Sequence, residues 1–156
     1  MPKNSKITIT DVVTAFYAGS FDPFTTGHKS IVDRALPLFG KVVIGIGVNT
    51  AKRGWQPVEE RLGAIRAIYA GEPRVEVVAY FGLTCEAARA AGAAVLLRGV
   101  RSCADFEYER NIADVNRNIS GLESVFILAH PALACVSSSL VRELAAFGHD
   151  YSQYIP

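Results

Sequence analysis

Ser20 and His28 bracket a ten-residue loop, Gly19-Ser20-Phe21-Asp22-Pro23-Phe24-Thr25-Thr26-Gly27-His28, in which Pro23 and Gly27 forbid regular structure. The apolar run before it, Val12-Val13-Thr14-Ala15-Phe16-Tyr17, reads as a buried strand that breaks at Gly19. A helix follows at once, because Ile31, Val32, Ala35, Leu36 and Phe39 share one face at a period of about 3.6 residues. His28 is thereby placed in a first helical turn, where unpaired backbone N–H groups and a partial positive charge make a seat for a phosphate. An imidazole there adds a proton or a hydrogen bond, Ser20 adds a hydroxyl, and Gly19 and Gly27 let a ligand approach the backbone closely. The same spacing is also met by a plain strand-to-helix turn, with Thr26 as the cap and His28 on the surface.

Other polar groups suited to anions recur further along the chain. Lys52 and Arg53 lie in the loop Asn49 to Pro57, Arg98 and Arg101 flank Gly99-Val100, and Ser137-Ser138-Ser139 precede an apolar helical pattern. Two arginines about a glycine suggest a fork-shaped anion site. Serines at a helix start either cap it or hold a second phosphate.

The elements that must position these groups alternate. Lys41 to Val48 is apolar on both alternate sets, as a strand covered on both faces should be. Its Gly45 and Gly47 make no dinucleotide fingerprint, because Thr50 stands where the third glycine belongs. Pro57 at a first helical position, with Glu59 and Glu60 behind it, opens a helix to about Tyr69 that buries Leu62, Ile65, Ala67, Ile68 and Tyr69. Arg74 to Tyr80 reads as a strand, Leu83 to Ala91 as a short helix stopped by Gly92, and Ala93 to Leu97 as a fourth strand. That strand delivers Arg98 to Arg101 at its carboxyl end. Asp105 to Asn116 is a charge-rich helix with mostly solvated carboxylates, with Phe106, Tyr108, Ile112 and Val115 partly packed, serving as a surface or a subunit contact. Glu123 to Ala129 is a fifth strand, and Val136 opens the last clear helix. Strands and helices alternating every 30 or so residues predict βαβ units and a parallel sheet with its ligands at the carboxyl edge.

Composition narrows the classes. The 156 residues suit a single domain, and 50% hydrophobic content allows helices on both faces of a sheet. A net charge of +1 with scattered Lys and Arg speaks against general binding to nucleic acid or membrane. Cys85, Cys103 and Cys135 are too far apart for a zinc motif and read as reduced, cytosolic thiols. No apolar stretch approaches the roughly 20 residues of a membrane span, and the polar start lacks a signal-peptide core. Residues 1–12 are expected to be a flexible extension. His130 and His149 have no evident partners and no assigned role.

Four collinear segments resemble a known family. Gly19 to His28 is similar to the G-[ST]-F-D-P-x-[HT]-x-G-H signature of small nucleotidyltransferases. Its Thr25, where other relatives carry a second histidine, is the form found in phosphopantetheine adenylyltransferases, whereas nicotinamide-mononucleotide adenylyltransferases and cytidylyltransferases fit less well. Arg98-Gly99-Val100-Arg101, Asp105-Phe106-Glu107-Tyr108-Glu109 and Val136-Ser137-Ser138-Ser139-Leu140-Val141-Arg142-Glu143 match the family's three further motifs in order, so the likeness runs from about Thr14 to Pro156.

The resemblance implies an α/β fold, a Rossmann-like doubly wound sandwich with a five-stranded parallel sheet, residues 13–156 forming one nucleotidyltransferase domain. It implies transfer of the adenylyl group of ATP to 4′-phosphopantetheine, giving dephospho-coenzyme A and pyrophosphate, with Mg2+ accompanying ATP and no dedicated protein metal ligands. Ser20, Phe21 and His28, then Gly99, Val100, Arg101 and Glu109, and the run Leu133-Ala134-Cys135-Val136-Ser137-Ser138-Ser139 fall at ATP positions. Ser20, Lys52, Thr84 and Arg98 fall at phosphopantetheine positions, and His28, Lys52, Ser20 and Arg101 carry the catalysis. A cytoplasmic homohexamer, restrained by coenzyme A in the same site, is the implied assembly. Leu133 stands where many members carry an aromatic residue, Lys52-Arg53-Gly54 where many carry Lys-Lys-Pro, and Thr84 where a larger apolar residue is usual. Two alternatives remain at this stage: a nucleotidyltransferase for another phosphorylated acceptor, and an idle nucleotide sensor that keeps the fold.

Overall fold

The computed structural model describes residues 13–156. Five strands, β1 (Thr14–Gly19), β2 (Lys41–Gly47), β3 (Val75–Tyr80), β4 (Val95–Val100) and β5 (Glu123–Leu128), form one parallel sheet in the order β3-β2-β1-β4-β5. Five helices accompany them: α1 (Thr26–Phe39), α2 (Val58–Ile68), α3 (Thr84–Ala90), α4 (Cys103–Ser120) and α5 (Ser138–Ala146). The expected α/β fold with a five-stranded parallel sheet is thus the observed one.

Strict alternation along β1 explains why both faces are covered. Ala15 and Tyr17 join Val42, Ile44, Ile46 and Leu97 in a core closed by α1 and α2, while Phe16 and Ala18 join Val43 and Leu96 beneath α3. The chain builds outward from β1 through β2 to β3, then returns to β4 on the other side of β1. The order reverses between β1 and β4, and the loops leaving their carboxyl ends diverge there into a crevice.

Several boundaries differ from the sequence reading. β1 runs on through Gly19, and Val12 lies outside the described residues. β4 continues through Val100, so Arg98 and Gly99 are strand residues rather than a loop beyond it. Pro57 is the cap of α2 rather than its first residue, Ala67 is exposed, and Arg61 is buried. α4 is four residues longer at its C-terminal end, stopping only at the left-handed Gly121. Its apolar side is largely open to solvent, Tyr108, Val115 and Ile119 being 65%, 56% and 54% exposed. A 3-10 turn at Pro131–Leu133, which no hydrophobic period marks, leads into α5, whose cap is Ser137 rather than Val136. His130 has a local role after all: its Nδ1 accepts the Ala132 N–H and caps that turn.

Candidate active site

The β1–α1 loop is held in one shape by aromatic packing. A Cβ at Gly19 would lie 2.9 Å from the Phe21 ring, so only glycine lets that ring fold back. Phe21 has a positive φ of 46°, a costly conformation for a bulky residue. Its buried ring meets Tyr17, Phe24 and His28 edge-on at 5.1, 5.4 and 5.0 Å, and these contacts over-determine the backbone there.

Thr25, not Thr26, caps α1, because the next N–H in need of an acceptor is that of His28 and Thr25 Oγ1 takes it. His28 reciprocates: its Nδ1 accepts the backbone N–H of Thr25 at 3.0 Å. This is a capping box with histidine in the place usually held by Glu or Gln. Nδ1 is thereby fixed as an acceptor, the neutral ring carries its proton on Nε2, and Nε2 is the nitrogen left for the cleft that His28 lines. Burial, reinforced by the Arg101 and Arg98 charges, pushes the His28 pKa down to about 3. Of the two roles open to an imidazole here, the structure favours donating a hydrogen bond over supplying a proton.

That depression has a testable sign. The unfolded chain protonates His28 near pH 6.5 and the folded chain only near 3, so this residue's contribution to stability is whole above 6.5 and is lost as pH falls toward 3. Thermal melts of wild type and His28→Gln at about pH 7.5 and 5 are expected to show a smaller acid loss in the variant. Parallel losses would contradict a neutral His28.

At the crevice between β1 and β4 lies a cleft of about 310 Å³, lined by Ser20, His28, Arg101, Leu133 and the Ser137–Ser139 start of α5, with Phe21 and Gly99 in its wall. A second cavity of about 550 Å³ opens on the other side of β1 and is lined by Thr84, Glu109, Tyr80 and Asn49. Ser20 and Arg98 border both, so the two spaces meet at these residues. Val100 is buried within β4 and Cys135 is exposed, and neither these nor Ala134 line either space. Val136 lines the first cleft, its carbonyl close to Gly27.

Both arginines line the first cleft, and each is held there by a different carboxylate. Arg98 shares the Leu96 face of β4 and grips the buried Glu109 of α4 with Nε and Nη2 at 2.7 and 2.6 Å, while Nη1 donates to the Ala18 carbonyl. Arg101 lies beyond the strand end and donates to Asp105 at 2.9 Å. Each guanidinium is thus aimed by its own carboxylate, and the expectation of solvated acids on α4 fails at Glu109. Glu109 sits at the second cavity with Arg98. Thr84 is there too, its hydroxyl 2.8 Å from the Tyr80 hydroxyl.

The serines divide their duties. Ser137 accepts the Leu140 N–H as the α5 cap, as the simpler reading of the sequence has it. Ser138 donates to the Pro23 carbonyl at 2.8 Å, and Ser139 accepts from Arg142, whose other branch donates to the Asp22 carbonyl. Lys52 is exposed on the turn after β2, on the same sheet edge as Ser20 and His28, and borders neither cavity. Sequence reasoning missed Asp22 and Arg61. Asp22 accepts the backbone N–H groups of Trp55 and Gln56, and the buried Arg61 donates to the Ser20 carbonyl at 2.6 Å. A charged residue one step before Leu62 on a buried helix face was the available signal for Arg61.

Among the described residues no cluster of three or more His, Cys, Asp or Glu could hold a metal ion, and no helix is long and apolar enough to cross a membrane.

The cytidylyltransferase-like family profile matches residues 16–144. The chain is 47% identical over 142 residues to a phosphopantetheine adenylyltransferase of Phocaeicola vulgatus, covering 91% of this chain and 94% of that one. It is 48% identical to one of Porphyromonas gingivalis, covering 91% and 93%. Among solved structures, a bifunctional NMN adenylyltransferase/ADP ribose pyrophosphatase from Francisella tularensis superposes with a TM-score of 0.69 at 16% identity. The match covers 93% of this chain but 45% of that longer protein, and at that identity it speaks to fold alone. On sequence and fold together, the chain belongs to the phosphopantetheine adenylyltransferases, within the cytidylyltransferase-like family.

Proposed function

We propose that this protein transfers the adenylyl group of ATP to 4′-phosphopantetheine, forming dephospho-coenzyme A and pyrophosphate in coenzyme A biosynthesis. The observation that carries this reading is the pair of spaces that meet at Ser20 and Arg98, one beside His28 and the α5 N-terminus, the other beside Thr84. ATP takes the first and the phosphorylated acceptor the second, so that acceptor phosphate and α-phosphorus face each other at Ser20.

The acceptor phosphate is ionised near neutrality and attacks without a general base. A bond forms from its oxygen to the α-phosphorus, the bond from that phosphorus to the bridging oxygen breaks, and pyrophosphate leaves with the electron pair. Negative charge grows on the α-phosphoryl oxygens, where the His28 Nε2–H and the Ser20 hydroxyl donate. Arg101 and the backbone N–H groups at the start of α5 hold the leaving pyrophosphate, with Ser139 beside them. Arg98, aimed by Glu109, and Lys52, reaching in from its turn, orient the acceptor phosphate. Leu133 offers adenine an aliphatic wall, with Val136 beside it.

Mg2+ on the triphosphate would offset charge on the departing pyrophosphate; with Asp105 the first cleft's only carboxylate and already paired to Arg101, its ligands would be phosphate oxygens and water. Residues 13–156 act as one nucleotidyltransferase domain, in the cytoplasm, and as a homohexamer, for which the open apolar side of α4 offers a contact face. Coenzyme A restrains the enzyme by filling the same two spaces.

A coupled pyrophosphate-release assay tests the reading. Turnover is expected with ATP and 4′-phosphopantetheine, and not with CTP or with nicotinamide mononucleotide as acceptor. Binding of ATP without turnover would overturn it in favour of a sensor, and turnover with another acceptor alone would reassign the substrate.

A further inference from the structure

Lys52 is the one proposed catalytic group on an exposed turn, and something must set where that turn stands. Within the loop, the Ala51 N–H bonds the Asn49 side chain and the Lys52 N–H bonds the Asn49 carbonyl, both internal to it. Among the described residues, the only hydrogen bonds leaving residues 49–56 run to one side chain. Asp22 accepts the Trp55 N–H at 2.7 Å on Oδ2 and the Gln56 N–H at 2.8 Å on Oδ1. Asp22 is itself buried and braced: Arg142 donates to its carbonyl at 2.7 Å, Ser138 to that of Pro23, and Arg61 to that of Ser20. Arg61 Nε, which has no hydrogen-bond partner, lies 4.0 Å from Asp22 Oδ1, so a buried positive charge faces the carboxylate.

We infer that Asp22 is a positioning residue for the transfer step: its carboxylate pins the Lys52 turn to the same loop that carries Ser20 and His28. The inference rests on the role proposed for Lys52. Only Phe21 lies between Ser20 and Asp22, and only Arg53 and Gly54 between Lys52 and Trp55, so the pin fixes the span across which Lys52 must reach. A carboxylate accepting two backbone N–H groups holds more firmly than a neutral acceptor, and its four lone-pair sites allow both bonds at once. An amide in its place turns one of those acceptors into a donor facing a donor.

The test is a double-substitution cycle on the transfer rate. Lys52→Ala is expected to lower kcat/KM about a hundredfold and Asp22→Asn about tenfold, with Asp22→Asn costing nothing further once Lys52 is gone. Trp55 is the only tryptophan, so its emission reports the pin directly: a red shift and easier quenching are expected in Asp22→Asn and not in Lys52→Ala. Should Asp22→Asn fail to fold, Gly54→Ala carries the same test, since its Cβ would lie 3.0 Å from Asp22 Oδ2 and push the turn away while leaving the buried charge in place. A rate loss of equal factor with and without Lys52, or full activity in Asp22→Asn, overturns the inference alone. A wild-type rate in Lys52→Ala overturns the proposed role of Lys52, and the inference with it.

Discussion

Replacing His28 with glutamine is expected to lower kcat for adenylyl transfer about a hundredfold, while the affinity for ATP changes by no more than about threefold. The disparity follows from when the hydrogen bond matters. His28 is neutral, its Nδ1 committed to the helix cap, so its Nε2–H meets charge only as the α-phosphorus becomes five-coordinate. A preorganised donor of this kind is worth about 3 kcal/mol in the transition state and little in the ground state. Glutamine is the sharper substitution because it can occupy the same capping-box position, whereas alanine also strips the Thr25 N–H of its acceptor, at about 1 kcal/mol of stability. Equal losses in rate and ATP affinity, by rapid kinetics and calorimetry, would contradict a transition-state role.

The largest effect on stability is expected from Gly45→Ala. A Cβ there would stand 2.2 Å from Cζ and 2.5 Å from Cε1 of Phe16, a ring that is fully buried. Phe16 cannot swing clear, because it also packs edge-on against Tyr80 at 5.6 Å and lies in the core beneath α3. Overpacking with no free volume to absorb it costs about 3 kcal/mol or more, which for a chain of this size lowers Tm by about 10 °C. Adding Phe16→Leu should restore part of the loss. Gly63→Ala is the control: nothing lies within 4 Å, the site is an exposed helix interior, and a gain of up to about 1 kcal/mol is expected. A Gly45→Ala protein melting with wild type would show that the strand has slack it does not display. The same contact explains why Gly45 and Gly47 resemble a nucleotide fingerprint without being one: the glycines admit Phe16 and the Tyr80 hydroxyl, not a pyrophosphate.

Hydrophobic period made the sheet legible in advance, because the central strands β1 and β2 alternate between two covered faces and α1 shows a clean apolar stripe. It could not reveal charged groups whose partners are remote along the chain. Glu109 looked solvated on a charge-rich helix until Arg98 of β4 came to meet it, and Asp22 had no visible purpose until the turn 33 residues later folded over it. Arg98 and Arg101, expected as an anion fork, do line one cleft, but each is already bonded to a carboxylate, Glu109 or Asp105, a pairing that the spacing of the two arginines did not show. The partial packing expected of Tyr108 and Val115 on α4 is not found, both being exposed, while the expectation that this helix is a surface or a subunit contact is compatible with that exposure. Ser20, His28 and Arg101 were legible as a group because a parallel sheet sends every strand's carboxyl end to one edge.

On the proposed reading, ATP and the phosphorylated acceptor lie in adjoining spaces, their reacting atoms meeting beside His28 and Ser20. A crystal soaked with ATP and 4′-phosphopantetheine, or with coenzyme A, measures it most directly. The α-phosphate is expected within about 3 Å of His28 Nε2, and the pantetheine arm is expected to pass Arg98 toward Thr84. An α-phosphate lodged away from His28, or an arm lying outside the Thr84 cavity, would contradict it.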